Sequence, residues 1–176
     1  MHAFILLRLP HLGGGNPRYR SIKMKLGDII REDFIIPELR AKDKKGVLEE
    51  LAEVICSHGE SIEKASLVKV LVERERLGTT GIGDGVAIPH GKLPDLDQPV
   101  VSFGRSKKDL DFDAIDGQPV HLFFLLVAPE NSSGAHLQVL AKIARILKNS
   151  AFRKRLLEAE TRQDIYQTII QTDEET

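Results

Sequence analysis

Three residues of this 176-residue chain are suited by type and position together to moving a charged group: His90, His136 and Arg74. His90 lies in the stretch Gly78 to Gly91, GTTGIGDGVAIPHG, where five of fourteen residues are glycine. Glycine admits φ above zero and lets other groups approach the backbone closely. Pro89 fixes φ just before the histidine, after the apolar segment Val86-Ala87-Ile88, which reads as a short strand. One imidazole is thereby presented between two backbone-controlling residues, beside a loop rich in N–H groups. Neutral imidazole carries a lone pair at pH 7 and a pKa close enough to be tuned. Phosphoryl transfer asks mainly for in-line positioning and positive charge around the oxygens. The parts on offer are His90 as nucleophile, the N–H groups of Thr79, Thr80 and Gly81, the Arg74 guanidinium, and His136 near a helix N-terminus. There N–H groups lack helical partners and the dipole is positive. On spacing alone, a turn histidine without chemical role remains an equal reading of His90.

Other chemistries fit less well. GTTGIGDG ends in no Gly-Lys-Ser/Thr, as a phosphate-binding P-loop would, and is not a clean GxGxxG leading into a helix. His90, His121 and His136 lack the close pairing of a zinc site, and no nucleophile elbow marks a serine hydrolase. Neither metal nor cofactor is expected. His121 opens an apolar run and reads as a partly buried sheet residue. Cys56 reads as a structural thiol beside an apolar helix face. The charge run Glu73-Arg74-Glu75-Arg76 reads by itself as a solvated last turn whose arginines complement the helix C-terminus. Only its lead into the glycine-rich loop lifts Arg74 above that.

Bulk properties narrow the class. The length fits one domain, and 41% hydrophobic with 29% charged residues is a normal core and surface. A net charge of −1 gives no general pull toward nucleic acid or anionic membrane. With no Trp and 5% aromatics, a base-stacking surface is not expected. A single cysteine forms no internal disulfide, which suits a reducing cytoplasm. No apolar run approaches the roughly 20 residues needed to span a bilayer. Residues 1–23, with Gly13-Gly14-Gly15 and no basic region before Ala3–Leu7, read as a disordered or non-native extension rather than a signal peptide. Met24 is the expected functional start, and residues 24–172 the domain.

The elements that must position these residues follow in order. Leu26–Ile30 reads as a helical turn, and Phe34-Ile35-Ile36-Pro37 as a short strand confined to an edge or end by its proline. Asp43 caps a helix with Val47, Leu48, Leu51, Val54 and Ile55 on one face, stopped by Gly59. Ser61 opens a second helix that Gly78 stops. Pro99–Gly104 reads as a strand, Asp109–Gly117 as acidic turns, and Pro119–Val127 as a strand covered on both faces, ended by Pro129. Ser132 or Ser133 caps a long helix with His136 in its first turn. Ser150 caps the next, and Thr161 with Asp164 forms a capping box for the last. The tail from Asp173 is expected to fray. The sum is an α/β domain, helices flanking a small sheet.

Gly85-Val86-Ala87-Ile88-Pro89-His90-Gly91, with Glu73-Arg74-Glu75 and Thr79-Thr80 upstream, closely resembles the phosphorylation-site signature of IIA domains of the bacterial phosphoenolpyruvate:sugar phosphotransferase system. The resemblance covers about Met24 to Ile170. It is to the mannitol/fructose class (EIIA type 2), and most to its nitrogen-regulatory branch. It implies a mixed sheet flanked by helices, and a phosphoryl group accepted at Nε2 of His90 from a small histidine-containing carrier (HPr/NPr-like). It further implies that Arg74 lies beside the active histidine and that His136 contacts the phosphoryl group. Asp84 stands where Asn is common in the family, and a carboxylate there suits the chemistry if it points outward. The chain supplies no IIB or membrane IIC part, which favours a regulatory phosphocarrier. The alternatives are a sugar-specific IIA serving a separate IIB, and a non-catalytic binding module.

Overall fold

The computed structural model describes residues 24–58, 61–94 and 96–176. The expectations for residues 1–23 and for Gly59 fall outside these. A single 3-10 turn at Leu26–Asp28 leads into β1 (Ile30–Ile36), α1 (Lys44–Cys56) and α2 (Lys64–Leu77). Three short strands follow, β2 (Gly81–Gly83), β3 (Val86–Ala87) and β4 (His90–Leu93), then two long ones, β5 (Val100–Leu110) and β6 (Val120–Pro129). The chain closes with α3 (Ser133–Leu147), α4 (Ser150–Glu158) and α5 (Arg162–Glu174).

β6 is the spine of a mixed sheet of order β1-β5-β6-β3-β2, with β4 also pairing β6. β5 runs antiparallel to β6, while β3 and β4 run parallel to it, one after the other along the same strand. Successive β6 side chains enter opposite cores, as period-two geometry requires. Phe123, Leu125 and Val127 join α1 and α2, while Leu122, Phe124 and Leu126 join α3, α4 and α5. Covering on both faces explains the unbroken apolar run. Val120 and Leu122 nevertheless face different cores. The Gly85 carbonyl accepts from the N–H of both His121 (2.9 Å) and Leu122 (3.0 Å), a bulge that shifts the alternation by one.

Several expected boundaries move. β1 begins at Ile30, not Phe34, because the exposed Arg31 and Glu32 sit in a register irregularity opposite β5 and hide the strand's alternation. α2 begins at Lys64 with Glu63 as N-cap rather than at Ser61. Ile62 packs against the core and keeps that approach extended. β5 continues past Gly104 to Leu110 through charged residues, since the buried Arg105 donates to the carbonyls of Pro37, Leu156, Leu157 and Ala159. Asn149, not Ser150, caps α4, accepting from the N–H of Ala151 and Phe152. Asp43 and the Thr161–Asp164 capping box hold as expected. The tail does not fray at Asp173. That residue is buried, accepts the Leu26 N–H at 2.7 Å and pairs with Lys142 at 2.6 Å.

Candidate functional site

α2 belongs to one helical layer and α3 to the other. Their ends meet at His90, the first residue of β4 and not the end of the preceding strand as its position after Val86–Ile88 suggested. Pro89 lies between β3 and β4, and its carbonyl accepts the Leu126 N–H at 2.9 Å, which registers His90 opposite Leu126. Gly91 is required by packing: a Cβ there would lie 2.7 Å from Val70 Cγ1 of α2. The strand thus lies tight against the helix that carries Arg74.

His90 is held at both ring nitrogens. Nδ1 lies 2.8 Å from the Ile88 carbonyl, and Nε2 lies 3.1 Å from Arg74 Nε. A carbonyl only accepts and a guanidinium only donates. The proton is therefore on Nδ1 and the lone pair on Nε2. Burial, with the Arg74 charge, lowers the His90 pKa below its ordinary value, against an opposing effect of the Ile88 carbonyl. Arg74 is fixed in turn, its Nη1 donating to the Gly78 carbonyl at 2.9 Å.

The His136 ring lies 5.4 Å from that of His90, centroid to centroid, tilted by 56°. Ser132 is the N-cap of α3, so His136 sits at the fourth helical position, its N–H bonded to the Ser132 carbonyl at 2.9 Å. The Ser132 hydroxyl donates to the Pro129 carbonyl instead of capping. His136 is only 7% exposed, and its Nδ1 has no hydrogen-bond partner among the described residues. Burial first, then the positive surroundings of His90, Lys92 and Arg74, push its pKa down to about 4.

The N–H groups of Thr80 and Gly81 have internal acceptors. The Thr80 N–H and hydroxyl both donate to Glu75, and the Gly81 N–H donates to Thr79 Oγ1 at 3.1 Å. Thr79 Oγ1 donates to the Phe112 carbonyl at 3.2 Å. Through these bonds Thr80 and Gly81 brace the loop. Asp84 points outward. It is 77% exposed, 3.9 Å from Arg153. Asp84 and Gly85 have φ of 54° and 73°, the two positive values of a primed hairpin between β2 and β3. His121 is a half-buried sheet residue with Nδ1 3.0 Å from the Ser106 carbonyl. Among the described residues no group of three His, Cys, Asp or Glu is placed to hold a metal ion. No helix there is long and apolar enough to cross a membrane.

Residues 28–172 match the family model described as "Phosphoenolpyruvate-dependent sugar phosphotransferase system, EIIA 2". The chain belongs to this phosphotransferase-system EIIA type 2 family. It is 42% identical over 146 residues to a nitrogen regulatory protein of Bradyrhizobium diazoefficiens, covering 83% of this chain and 95% of that one. It is 35% identical over 150 residues to the fructose-specific EIIABC component of Bacillus subtilis, covering 85% of this chain but 24% of that larger protein. Among solved structures, the nitrogen regulatory protein IIA-Ntr of Neisseria meningitidis superposes with a TM-score of 0.77 at 34% identity, covering 82% and 98% of the two chains. The IIA mannitol structure of Escherichia coli, at 21% identity and TM-score 0.66 over 78% of this chain and 96% of that one, shares the fold. The EIIA resemblance read from the motif, and the mixed sheet it implied, are borne out.

Proposed function

We propose that this EIIA domain is a cytoplasmic phosphocarrier that accepts a phosphoryl group at Nε2 of His90 from a histidine-phosphorylated carrier of the HPr/NPr kind, and acts mainly as a regulator. The observation that carries this is the pinning of His90. With Nδ1 bonded to the Ile88 carbonyl, Nε2 holds the lone pair and faces a guanidinium. In the transfer, the Nε2 lone pair forms the new P–N bond as the donor's P–N bond breaks. The electron pair returns to the donor imidazole. Arg74 moves its hydrogen bond from Nε2 to a phosphoryl oxygen. His136 supplies a second donor without becoming a cation. Among the described residues its Nδ1 has no acceptor, so the neutral ring keeps its proton on Nε2. The exposed apolar side chains of Leu77, next to Gly78, and Leu137, next to His136, are the carrier contacts this reading expects.

The regulatory reading rests on the nitrogen regulatory relatives, matched over nearly their whole length. A second reading, a sugar-specific IIA that serves a separate IIB, is favoured by the match to the fructose-specific EIIABC component. Transfer from the phosphorylated protein to a fructose-type IIB separates the two. The phosphocarrier activity itself is tested by incubation with phosphoenolpyruvate, the first enzyme of the system and the carrier. Acid-labile, base-stable phosphate is expected on the wild type and none on His90→Ala; label persisting in that variant would overturn the assignment. A purely non-catalytic binding module predicts no label on either.

A further inference from the structure

Glu75 follows Arg74 in α2, and the phosphoryl chemistry above does not use it. Its side chain is only 6% exposed. It accepts the Thr80 N–H at 3.0 and 3.2 Å, accepts the Thr80 hydroxyl, and pairs with Lys44 Nζ at 3.1 Å. Lys44 is held by Asp113 at 3.0 Å and lies 4.8 Å from the centre of the Phe112 ring. From Thr80 the connection continues toward the nucleophile. The Thr80 carbonyl accepts the Ile88 N–H at 2.9 Å, and the Ile88 carbonyl accepts from His90 Nδ1 at 2.8 Å.

We infer that Glu75 is a positioning residue for His90: through Thr80 and Ile88 it sets the carbonyl that keeps the imidazole proton on Nδ1 and the lone pair on Nε2. The physical case rests on which contacts reach the Ile88 peptide itself. Ile88 and Pro89 lie between the two short strands; the Pro89 carbonyl is held by the Leu126 N–H and the Ile88 side chain by the core, while the Ile88 main chain is tied back to the glycine-rich loop through Thr80. Among the described residues the Ile88 N–H donates to the Thr80 carbonyl, and Glu75 holds Thr80 at both its N–H and its hydroxyl. A carbonyl displaced by an ångström loses the Nδ1–H, and misplacement on that scale costs on the order of 100-fold in a positioned reaction. Glu75 touches neither substrate nor the reacting nitrogen, so its action is through Ile88. The same carboxylate joins the C-terminal turn of α2 to the following loop, which keeps Arg74 opposite Nε2.

This inference rests on His90 as the phosphoryl acceptor, and its test reads the two separately. Imidazole ¹⁵N chemical shifts of the full chain, recorded without any phosphoryl donor, report which nitrogen of His90 is protonated. Glu75→Ala is expected to mix the two tautomers and to slow phosphoryl acceptance by about 10- to 100-fold. Glu75→Gln keeps an acceptor for the Thr80 N–H and is expected to keep the wild-type tautomer and a rate within about threefold. A folded Glu75→Ala with the Nδ1-protonated tautomer intact and the wild-type rate overturns the inference. If Glu75→Ala does not fold, Glu75→Gln decides: a tenfold loss of rate with the tautomer unchanged overturns it, and the wild-type rate with the tautomer preserved upholds it. Absence of label on wild type would instead overturn the phosphocarrier reading and leave the tautomer result standing.

Discussion

The pairing of Arg74 Nε with His90 Nε2 sets a cation beside the nitrogen proposed as the phosphoryl acceptor. Burial first, with the Arg74 charge adding to it, lowers the His90 pKa, which favours the unprotonated ring at neutral pH. The guanidinium is already oriented by the Gly78 carbonyl, so its charge needs little reorganisation during transfer. Arg74→Ala should therefore slow phosphoryl acceptance by about 100-fold, in line with loss of one preorganised donor, while the melting temperature stays within a few degrees. Rapid-quench labelling with phosphorylated carrier measures this, and an unchanged rate would remove Arg74 from the site. Residue types made His90, His136 and Arg74 visible as candidates from the chain alone. Glu75 stayed invisible, because a carboxylate in a charged helical turn looks like a solvated one until burial shows otherwise. The internal acceptors of the Thr80 and Gly81 N–H groups stayed hidden for the related reason that loop glycines and threonines advertise N–H groups without revealing which acceptors hold them.

At the scale of elements, long amphipathic segments were legible and short or polar ones were not. α1 and α5 could be placed from apolar spacing and capping side chains, and β6 from its unbroken apolar run. β2 and β4 are only three and four residues long, too short for any period to declare itself. The last turn of α5 shows a further gap. An acidic C-terminal stretch reads as frayed, yet Asp173 is buried against Lys142 of α3 and the Leu26 N–H. Lys142 also donates to the Met24 carbonyl at 2.9 Å, so this one pair ties the start of the domain to two helices. Asp173→Ala would strand a largely buried ammonium and an N–H. It should cost about 3–5 kcal/mol, read by urea denaturation. A loss below about 0.5 kcal/mol would mean the pair carries no such burden.

For the whole molecule, two helical layers and the sheet between them hold two neutral imidazoles 5.4 Å apart. This arrangement makes stability depend on pH with a definite sign. His136 titrates at about 4 when folded, against an ordinary value of 6.5. Between those values the unfolded chain binds a proton that the folded chain refuses, so stability is full above about pH 6.5 and falls as pH drops toward 4. The loss attributable to this residue is on the order of 2–3 kcal/mol. Melting curves of wild type and His136→Gln across pH 7 to 4 should converge as acid is added, whereas a constant gap would contradict the buried neutral state. Under the proposed function, a phosphoryl group on His90 would add roughly −1.5 to −2 charge units beside Arg74 and His136. That change of charge is what a docking partner would read.

The most direct test of the central claim is to locate the phosphoryl group atom by atom. A ¹H–¹⁵N imidazole spectrum of the full chain, phosphorylated through its carrier, distinguishes Nε2 from Nδ1 and His90 from His136. Phosphate on Nε2 of His90, with Nδ1 still protonated toward Ile88, is the predicted result. Phosphate on Nδ1 of His90, or on His136, would contradict the account.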